Sequence, residues 1–309
     1  MHEHTELDSA RRCAGELSIP LHEVDCTDLF NSIVRSNFIS EYLSGRTPNP
    51  CIICNQHVKL ARLYAYAMEH GFDMIATGHY AKVERVTQGD SYRYAVSMSK
   101  NRDKDQSYML YRLSQDVLSR LLLPLGDLKK DEVREGARIQ GISAASSRDS
   151  QEICFLPEGN HADYIESVSG KSPEGSFIDE KGNCLGVHKG IVRYTVGQRK
   201  GLGIALGQRM FVSAIDPVLN TVTLSPGIRG KKTVELTGVF YQGMAPLEKA
   251  VRAVMDVKVR YSAPIRRAEC ELRPDGTATL TFEEEVVSAP GQSAVLYSEG
   301  RVMLGGFIA

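Results

Sequence analysis

The chain has 309 residues, which is too long for one small domain and predicts two or three. Its 42% hydrophobic and 24% charged residues are typical of a globular protein and exclude a disordered one. Because 37 Lys and Arg face 38 Asp and Glu, any nucleic-acid contact must come from a local basic surface. No apolar run approaches the roughly 18 residues that cross a bilayer, and residues 1–10 lack the pattern of a signal peptide. We therefore expect a cytoplasmic protein with no membrane partner.

The first half of the chain alternates helical and strand patterns. A helix over 6–18 is followed by a short strand at LHEVD and then by a long helix from about Pro50 to His70, ended by Gly71. FDMIAT is typical of a buried parallel strand, and KVERV with YRYAVSM predicts a hairpin across Gly89-Asp90. Two more helices are expected at about 106–122 and 129–140. Together these elements predict an α/β domain.

This domain opens on a helix, whereas a doubly wound nucleotide-binding domain begins with a strand, a glycine-rich turn and a helix. No Walker loop occurs, and GLGIALG at 201–207 lacks the flanking strand and helix of a dinucleotide fingerprint. We therefore expect the α/β domain to be truncated at its amino end.

Beyond about residue 158 the pattern becomes β-rich. Short β-branched runs alternate with glycine-containing turns, and from about 229 onward strands recur at roughly ten-residue spacing, as in a small barrel. The predicted domains are 1–157, the truncated nucleotide-binding and catalytic domain; 158–228, a β-rich central domain; and 229–309, a carboxyl-terminal β-barrel.

Two basic runs lie in the β-rich part. The run at 187–210 has no acidic residue, and the run at 251–267 has Asp256 alone; Tyr194 and Tyr261 lie within them. Basic side chains interleaved with aromatic rings favour RNA contact over a merely solvated face. The cations are Lys189, Arg193, Arg199, Lys200 and Arg209 in the first run, and Arg252, Lys258, Arg260, Arg266 and Arg267 in the second.

The seven cysteines do not indicate a disulfide framework, because their number is odd and no signal peptide is visible. Asn49 is placed to cap a helix that Pro50 begins, which puts Cys51 and Cys54 near its first turn, where the helix dipole favours thiolates. A zinc site that adds His57 is an alternative, although no second close cysteine pair completes it. Four cysteines are expected to be small buried hydrophobic side chains. These are Cys13, Cys26, Cys184 and Cys270.

Cys154 follows a polar, serine-rich segment and alone would be unremarkable. Together with Cys54 it provides two thiols, the minimum needed to pass on sulfur as a persulfide, because one carries the outer sulfur and the other releases it by forming a disulfide. The sequence spacing does not establish that the two thiols meet.

Seven segments in order resemble the tRNA-specific 2-thiouridylases, the MnmA or TrmU family. They are TPNPCIICN, ATGHYAKV, KDQSYMLYRL, SQEICFLPEG, YTVGQRKGLGI, VRYSAP and APGQSAVLY, and they cover essentially the whole chain. The resemblance implies a nucleotide α-hydrolase-like (PP-loop) fold and ATP-dependent 2-thiolation of the wobble uridine of tRNA. In that family ATP, used with Mg²⁺, adenylates the C2 oxygen, and a cysteine persulfide supplied by a sulfur-donor protein replaces it.

The resemblance implies a function for individual residues. Cys54 becomes the nucleophile and Cys154 the persulfide carrier, with a transient disulfide between them. Gly78 contacts ATP. Asn49, Pro50 and Cys51 surround the extruded target base. The expected tRNA contacts are His79, Lys104, Asp105, Gln106, Arg260, Tyr261 and Gln292.

Two departures from the family keep alternatives open. The amino-terminal SGGVDSS-type loop that binds the ATP pyrophosphate is not found, so a non-catalytic tRNA-binding remnant is the second hypothesis. Cys51 stands where many members carry Asp, so Cys51, Cys54 and Cys154 could instead hold a [4Fe–4S] cluster. A third hypothesis is an adenylating enzyme acting on a small amide or carboxylate, which the paired thiols and basic β-domains disfavour.

Overall fold

The structure is a computed structural model, and it describes residues 2–146, 153–156, 160–204 and 207–309. The helical elements lie mostly in the first half of the chain. The α-helices within the described ranges are α1 (His2–Leu17), α2 (Thr27–Phe30), α3 (Ser36–Leu43), α4 (Pro50–Cys54), α5 (Leu60–Glu69), α6 (Gln115–Ser119), α7 (Lys130–Ile139) and α8 (His161–Ser169).

The strands form three sheets. The first sheet pairs β1 (Ile75–Ala76) with β4 (Leu121–Leu122) in parallel. The second contains β2 (Ala81–Gln88), β3 (Ser91–Met98), β9 (Lys231–Tyr241), β10 (Val251–Lys258), β11 (Arg266–Leu272), β12 (Ala278–Val286), β13 (Ser293–Ser298) and β14 (Arg301–Ile308). The third contains β5 (Gly175–Ile178), β6 (Cys184–His188), β7 (Phe211–Asp216) and β8 (Thr221–Ser225).

The long helix expected after Pro50 forms as predicted, with one irregularity. α4 and α5 are joined by a π-helical segment at Asn55–Lys59, so the chain stays helical from Pro50 to Glu69. Gly71 then adopts a left-handed φ of 74°, a conformation that favours glycine after a helix. Single π-helical turns inside helices occur frequently at functional sites.

Two expected elements are wrong. The LHEVD segment is not a strand, because within the described ranges its backbone has no strand partner. Residues 106–122 do not form one helix: a 3₁₀ turn at Ser107–Leu110 precedes α6, which begins afresh where Ser114 caps the Val117 N–H. The predicted parallel strand, the hairpin across Gly89-Asp90 and the helix near 129–140 are confirmed.

The predicted carboxyl-terminal barrel is confirmed, and it closes. Strands β9 to β14 run in the order β13-β10-β11-β12-β9-β14, and β13 also pairs with β14. Closure leaves no free edge among these six strands. The β2–β3 hairpin of the first half of the chain joins the same sheet through the pair Arg301 and Ser97.

Buried hydrogen bonds connect the first half of the chain to the barrel. The fully buried Gln242 accepts a hydrogen bond from the Val96 N–H with its amide oxygen and donates one to the Leu110 carbonyl, both at 2.9 Å. Its backbone carbonyl accepts from Arg93 at 2.9 Å and from Gln115 at 3.1 Å. Because buried polar groups must be paired, Gln242 fixes the 3₁₀ segment and the hairpin relative to the barrel.

The central module has a four-stranded sheet, and it begins with a helix that the sequence pattern did not predict. Asn160 caps α8 by accepting a hydrogen bond from the Asp163 N–H, and Ala162 and Ile165 on this helix are fully buried. No helix in the described ranges is both long and apolar enough to span a membrane. The order of an α/β domain, a β-rich module and a barrel agrees with the predicted fold class.

We expect Gln242→Met to lower the free energy of unfolding by about 2–5 kcal/mol, because it leaves a buried N–H and a buried carbonyl without partners. Urea denaturation followed by circular dichroism measures the change. The exposed Gln140 provides the matched control, and Gln140→Met should change stability by less than about 0.5 kcal/mol. Equal stability of both variants would contradict the proposed fixing of the hairpin by Gln242.

Candidate active site

The beginning of α4 is built as the sequence predicts. Asn49 is the N-cap, and its side-chain oxygen accepts a hydrogen bond from the Cys51 N–H at 3.2 Å. Pro50 occupies the first turn, where a missing N–H is harmless. The Asn49 amide also contacts the Met109 sulfur at 3.5 Å. These contacts hold Cys51 and Cys54 against the 3₁₀ segment Ser107–Leu110.

The π-helical segment after Cys54 is anchored by Asn55. This side chain is 4% exposed and donates a hydrogen bond to the Met109 carbonyl at 3.2 Å. The segment ends at Lys59, whose charge lies close enough to lower the pKa values of both Cys51 and Cys54. A cation near both thiols favours their thiolate forms.

The protein environment nevertheless raises the pKa of both thiols, so the expected thiolate-favouring helix terminus is not the dominant influence. Burial is the largest cause for each, and it outweighs the opposing charge of Lys59. For Cys51 the charges of Cys154 and Cys54 raise the pKa further, although part of the residue remains exposed. The correction has a simple physical basis, because desolvation disfavours the charged thiolate.

Cys154 lies in the four described residues 153–156, and the structure brings it toward the other two cysteines. It is exposed, and its charge raises the pKa values of Cys51 and Cys54. All seven cysteines are free thiols in this structure, so the expected disulfide is not formed here. In the described ranges no group of three His, Cys, Asp or Glu side chains is arranged to hold a metal ion. The proposed cluster of Cys51, Cys54 and Cys154 and the zinc site with His57 are therefore not preformed.

Tyr261 from the barrel faces the same site. Its ring lies 6.1 Å from the ring of Tyr108, and the Lys258 ammonium lies 5.6 Å from its centroid. Burial raises the pKa of the Tyr261 hydroxyl, and the charges of Asp105 and Cys51 add to the effect. The ring is therefore close to both Tyr108 and the charge of Cys51.

Asp105 and Gln106 have internal hydrogen-bond partners, and their expected contact with tRNA stays a prediction. Asp105 is 5% exposed, and its carboxylate accepts hydrogen bonds from the Ser99 N–H at 2.8 Å and the Ser107 hydroxyl at 2.7 Å. The Gln106 amide oxygen accepts from the Tyr80 N–H at 2.9 Å. Of this run, Lys104 is exposed.

Gln292 likewise holds another loop of the protein. Its amide nitrogen donates to the Thr47 carbonyl at 2.8 Å and to the Pro48 carbonyl at 3.4 Å. The Thr47 N–H in turn donates to the Pro290 carbonyl at 2.7 Å. The amide nitrogen of Gln292 is thus engaged in positioning the segment that leads into Asn49, and its expected contact with tRNA stays a prediction.

His79 and Gly78 follow β1. Burial, and then the charge of Lys59, lower the pKa of His79 to about 4, so the ring is neutral at pH 7. Its Nδ1 lies 2.9 Å from the Thr77 hydroxyl. Gly78 is exposed, and among the described residues a Cβ at this position would contact only Leu125, at 3.6 Å, so the space beside its backbone is largely open there.

A groove of about 520 Å³ runs beside α5 and β1. Its walls are mainly apolar, and two cations, Lys59 and Arg62, lie among them. The remaining lining includes His22, Val24, Cys26, Val58, Leu63, Tyr66, Phe72, Met74 and Ile75.

The basic runs are only partly available to a ligand. Arg193 pairs with Asp163 and Glu166, Arg252 pairs with Glu271, and Arg266 pairs with Glu284. The other exposed cations have no ion-pair partner within the described ranges. They are Lys189, Arg199, Lys200, Arg209, Arg260 and Arg267.

The remaining four cysteines differ in their burial. Cys270 is 1% exposed, which confirms the expected buried side chain, and burial raises its pKa to about 11. Cys184 is exposed, so the expected burial is wrong, and Cys13 and Cys26 are half-buried. Cys26 lies close enough to raise the pKa of Cys54.

Two residues of the site were not predicted. Lys59 lies five positions after Cys54, at the end of the π-helical segment Asn55–Lys59, which the sequence pattern did not predict. Lys258 belonged to the second basic run, but the sequence did not indicate that it is half-buried against Tyr261. The available signal for Lys59 was its position in the same predicted helix as the two cysteines.

We expect Lys59→Met to raise the pKa of the Cys54 thiol, because the cation that favours the thiolate is lost. Alkylation of Cys54 at pH 8, followed by peptide mass spectrometry, should become about threefold slower. Lys59→Arg keeps the positive charge and is the control. If Lys59→Met alkylates at the wild-type rate, the Lys59 charge does not act on Cys54.

Three family models together match most of the chain. The tRNA methyl transferase HUP domain matches residues 2–158, the tRNA methyl transferase PRC-barrel domain 162–226, and the aminomethyltransferase beta-barrel domain 238–308. The tRNA-specific 2-thiouridylases MnmA of Clostridioides difficile and Clostridium perfringens are each 42% identical over 305 residues, which are 98% of this chain and 83% of each relative. That of Caldicellulosiruptor saccharolyticus is 40% identical over 304 residues, again 98% and 83%. The chain therefore belongs to the MnmA family of tRNA-specific 2-thiouridylases.

Proposed function

We propose that this protein is a tRNA-uridine 2-sulfurtransferase that thiolates the wobble uridine. The observation that carries the proposal is the grouping of Cys54, Cys154 and Cys51 beside Tyr261 and Lys59. Two neighbouring thiols provide one sulfur carrier and one releasing group. The aromatic ring beside them offers a surface on which a base stacks.

In the proposed reaction a donor protein leaves a persulfide on Cys154. The outer sulfur attacks C2 of the uridine, whose oxygen carries the adenylyl group from ATP, and that oxygen departs in AMP. The Cys54 thiolate then attacks the inner sulfur of Cys154, which breaks the bond to the transferred sulfur and forms a Cys54–Cys154 disulfide. An external thiol reductant returns two electrons and two protons to the cysteines. Burial that raises the Cys54 pKa is offset in part by Lys59, which supports the required thiolate.

The groove beside α5 and β1 has side chains of the types that bind ATP. When bound, it supplies the adenylyl group that makes the C2 oxygen a leaving group. We propose that Gly78 contacts it, because the exposed backbone there has open space beside it. The apolar wall of the groove suits a purine ring, and Lys59 and Arg62 suit phosphate oxygens. Mg²⁺ accompanies the nucleotide in this proposal.

For tRNA, we propose that Asn49, Pro50 and Cys51 surround the extruded base. His79 contributes as a neutral ring, and Arg260 and Tyr261 contact the backbone and bases. The unpaired cations of the central module extend this surface, with Lys104 at its edge. In this proposal the domains are 1–157, 158–228 and 229–309, and the protein acts in the cytoplasm with a persulfide donor.

The first test is mass spectrometry of the wobble uridine after incubation of tRNA with the protein, ATP, Mg²⁺ and a persulfide donor. We expect one oxygen to be exchanged for sulfur. Cys154→Ser should abolish the exchange and leave tRNA affinity intact, because it removes only the carrier sulfur. Cys184→Ser, at an exposed cysteine on β6, is the matched control and should keep full activity.

Two results would contradict this proposal. Loss of tRNA binding in Cys154→Ser would show that Cys154 is not a dedicated sulfur carrier. Binding of tRNA by the wild-type chain without any exchange would favour the tRNA-binding remnant over the enzyme.

Arg260→Ala and His79→Ala should both weaken tRNA binding but should differ in how that binding depends on salt. Arg260 is an exposed cation, so its loss should weaken binding and reduce the slope of log K against log salt by about one. His79 is neutral at pH 7, so its loss should weaken binding without changing that slope. An unchanged slope in Arg260→Ala would remove Arg260 from the phosphate contacts. Filter binding at several salt concentrations measures both.

A further inference from the structure

The residue after Cys154 has the densest aromatic contacts of the short segment 153–156. The Phe155 ring lies 5.5 Å from Phe30, 5.2 Å from Phe38 and 5.7 Å from Tyr164, in edge-to-face arrangements. Such arrangements are favourable beyond the area they bury. We call Phe30, Phe38, Tyr164 and Arg35 the aromatic socket.

Arg35 completes this socket through contacts with two aromatic rings. Its guanidinium carbon lies 5.6 Å from the Phe30 centroid and 5.8 Å from the Phe155 centroid. The Nε atom of Arg35 is buried and has no hydrogen-bond partner within the described ranges. The residue as a whole is only half-buried, and its guanidinium lies within cation–π distance of both rings, which favours this placement. The Phe155 ring therefore contacts a cation as well as three aromatic rings.

The socket rests on elements that are themselves firmly packed. Phe38 is fully buried on α3, and Ile165 is fully buried on α8. His161 at the start of α8 bonds the Val192 carbonyl at 3.0 Å, and its ring lies 4.4 Å from that of Tyr42. Side chains held by rigid elements define a position more accurately than a loop can alone.

Cys154 itself is exposed, and its position depends on the residues beside it. The turn is closed by a hydrogen bond from the Leu156 N–H to the Ile153 carbonyl at 3.0 Å. Ile153, Phe155 and Leu156 all pack on the same hydrophobic cluster, whereas Cys154 is exposed and near enough for its charge to raise the pKa values of Cys51 and Cys54. Three of the four described residues of this segment thus serve to hold the fourth.

We propose that Phe155 is the positioning residue that holds Cys154 within reach of Cys54, and that the aromatic socket is its receptor. This inference rests on the proposed sulfur transfer between the two cysteines. Phe155 acts through Cys154 and touches no substrate. By holding Cys154 in place, Phe155 increases the effective concentration of one thiol at the other. Misplacement of reacting groups by about 1 Å costs up to about a hundredfold in rate, so a small displacement of Cys154 has a large effect.

The test is a thiol–disulfide equilibrium, which needs neither tRNA nor ATP. Oxidised glutathione takes two electrons and two protons from Cys54 and Cys154, giving their disulfide and two reduced glutathione molecules. Equilibration at a series of glutathione ratios, acid quenching and peptide mass spectrometry give the effective concentration of the pair. We expect Phe155→Ala to lower it at least about tenfold, and Phe155→Leu to lower it less.

Leu224→Ala is the matched control, because Leu224 on β8 is fully buried in a different hydrophobic cluster from the one that Ile153, Phe155 and Leu156 pack on. Both alanine variants should lower the midpoint of thermal unfolding, but only Phe155→Ala should lower the effective concentration. Equal effective concentrations in Phe155→Ala and wild type would overturn the proposal. A loss of the same size in Leu224→Ala would also overturn it, because the effect would then be general destabilisation.

The experiment separates this inference from the proposed function. If the wild-type protein forms the Cys54–Cys154 disulfide and Phe155→Ala forms it equally well, only the positioning by Phe155 is wrong. If the wild-type protein forms no such disulfide at any glutathione ratio, the sulfur relay is wrong and the inference fails with it.

Discussion

The site depends on the buried polar junction between the barrel and the 3₁₀ segment at Ser107–Leu110. Gln242 pairs with backbone groups of both the hairpin and this segment, and the Tyr108 hydroxyl donates to the Ser293 carbonyl of the barrel at 2.8 Å. On its other side the same segment receives Asn55, next to Cys54. Since unpaired polar groups in an interior are costly, the barrel cannot shift without disturbing the helix that carries the cysteine.

Because of this junction, residues that are far apart in sequence lie near the same site. Tyr261 and Gln292 come from the barrel, yet one faces Cys51 and the other holds the Thr47 carbonyl just before α4. A domain that the sequence presents as a separate barrel therefore shapes the entrance to the thiols. The aromatic socket around Phe155 brings the central module into the same arrangement through α8.

Local patterns predicted what local physics determines. The Asn49 cap, the helix it begins and the two-residue hairpin loop follow from side-chain chemistry within a few positions. The sequence did not predict that Asp105, Gln106 and Gln292 face inward, because their partners are backbone groups set by tertiary packing. The thiol pKa was predicted in the wrong direction for a similar reason, since burial is not visible in a cysteine's sequence neighbours.

The π-helical segment between Cys54 and Lys59 also affects how the long helix packs. An α-helix repeats its faces every 3.6 residues, whereas a π-turn holds one residue more per hydrogen-bonded ring. The side-chain faces of α5 are therefore rotated relative to those of α4, compared with one continuous α-helix. The face of α4 that presents the thiols and the face of α5 that buries Leu60 and Ala67 can each be optimised separately. Reactivity at one end of the helix is thereby decoupled from core packing at the other.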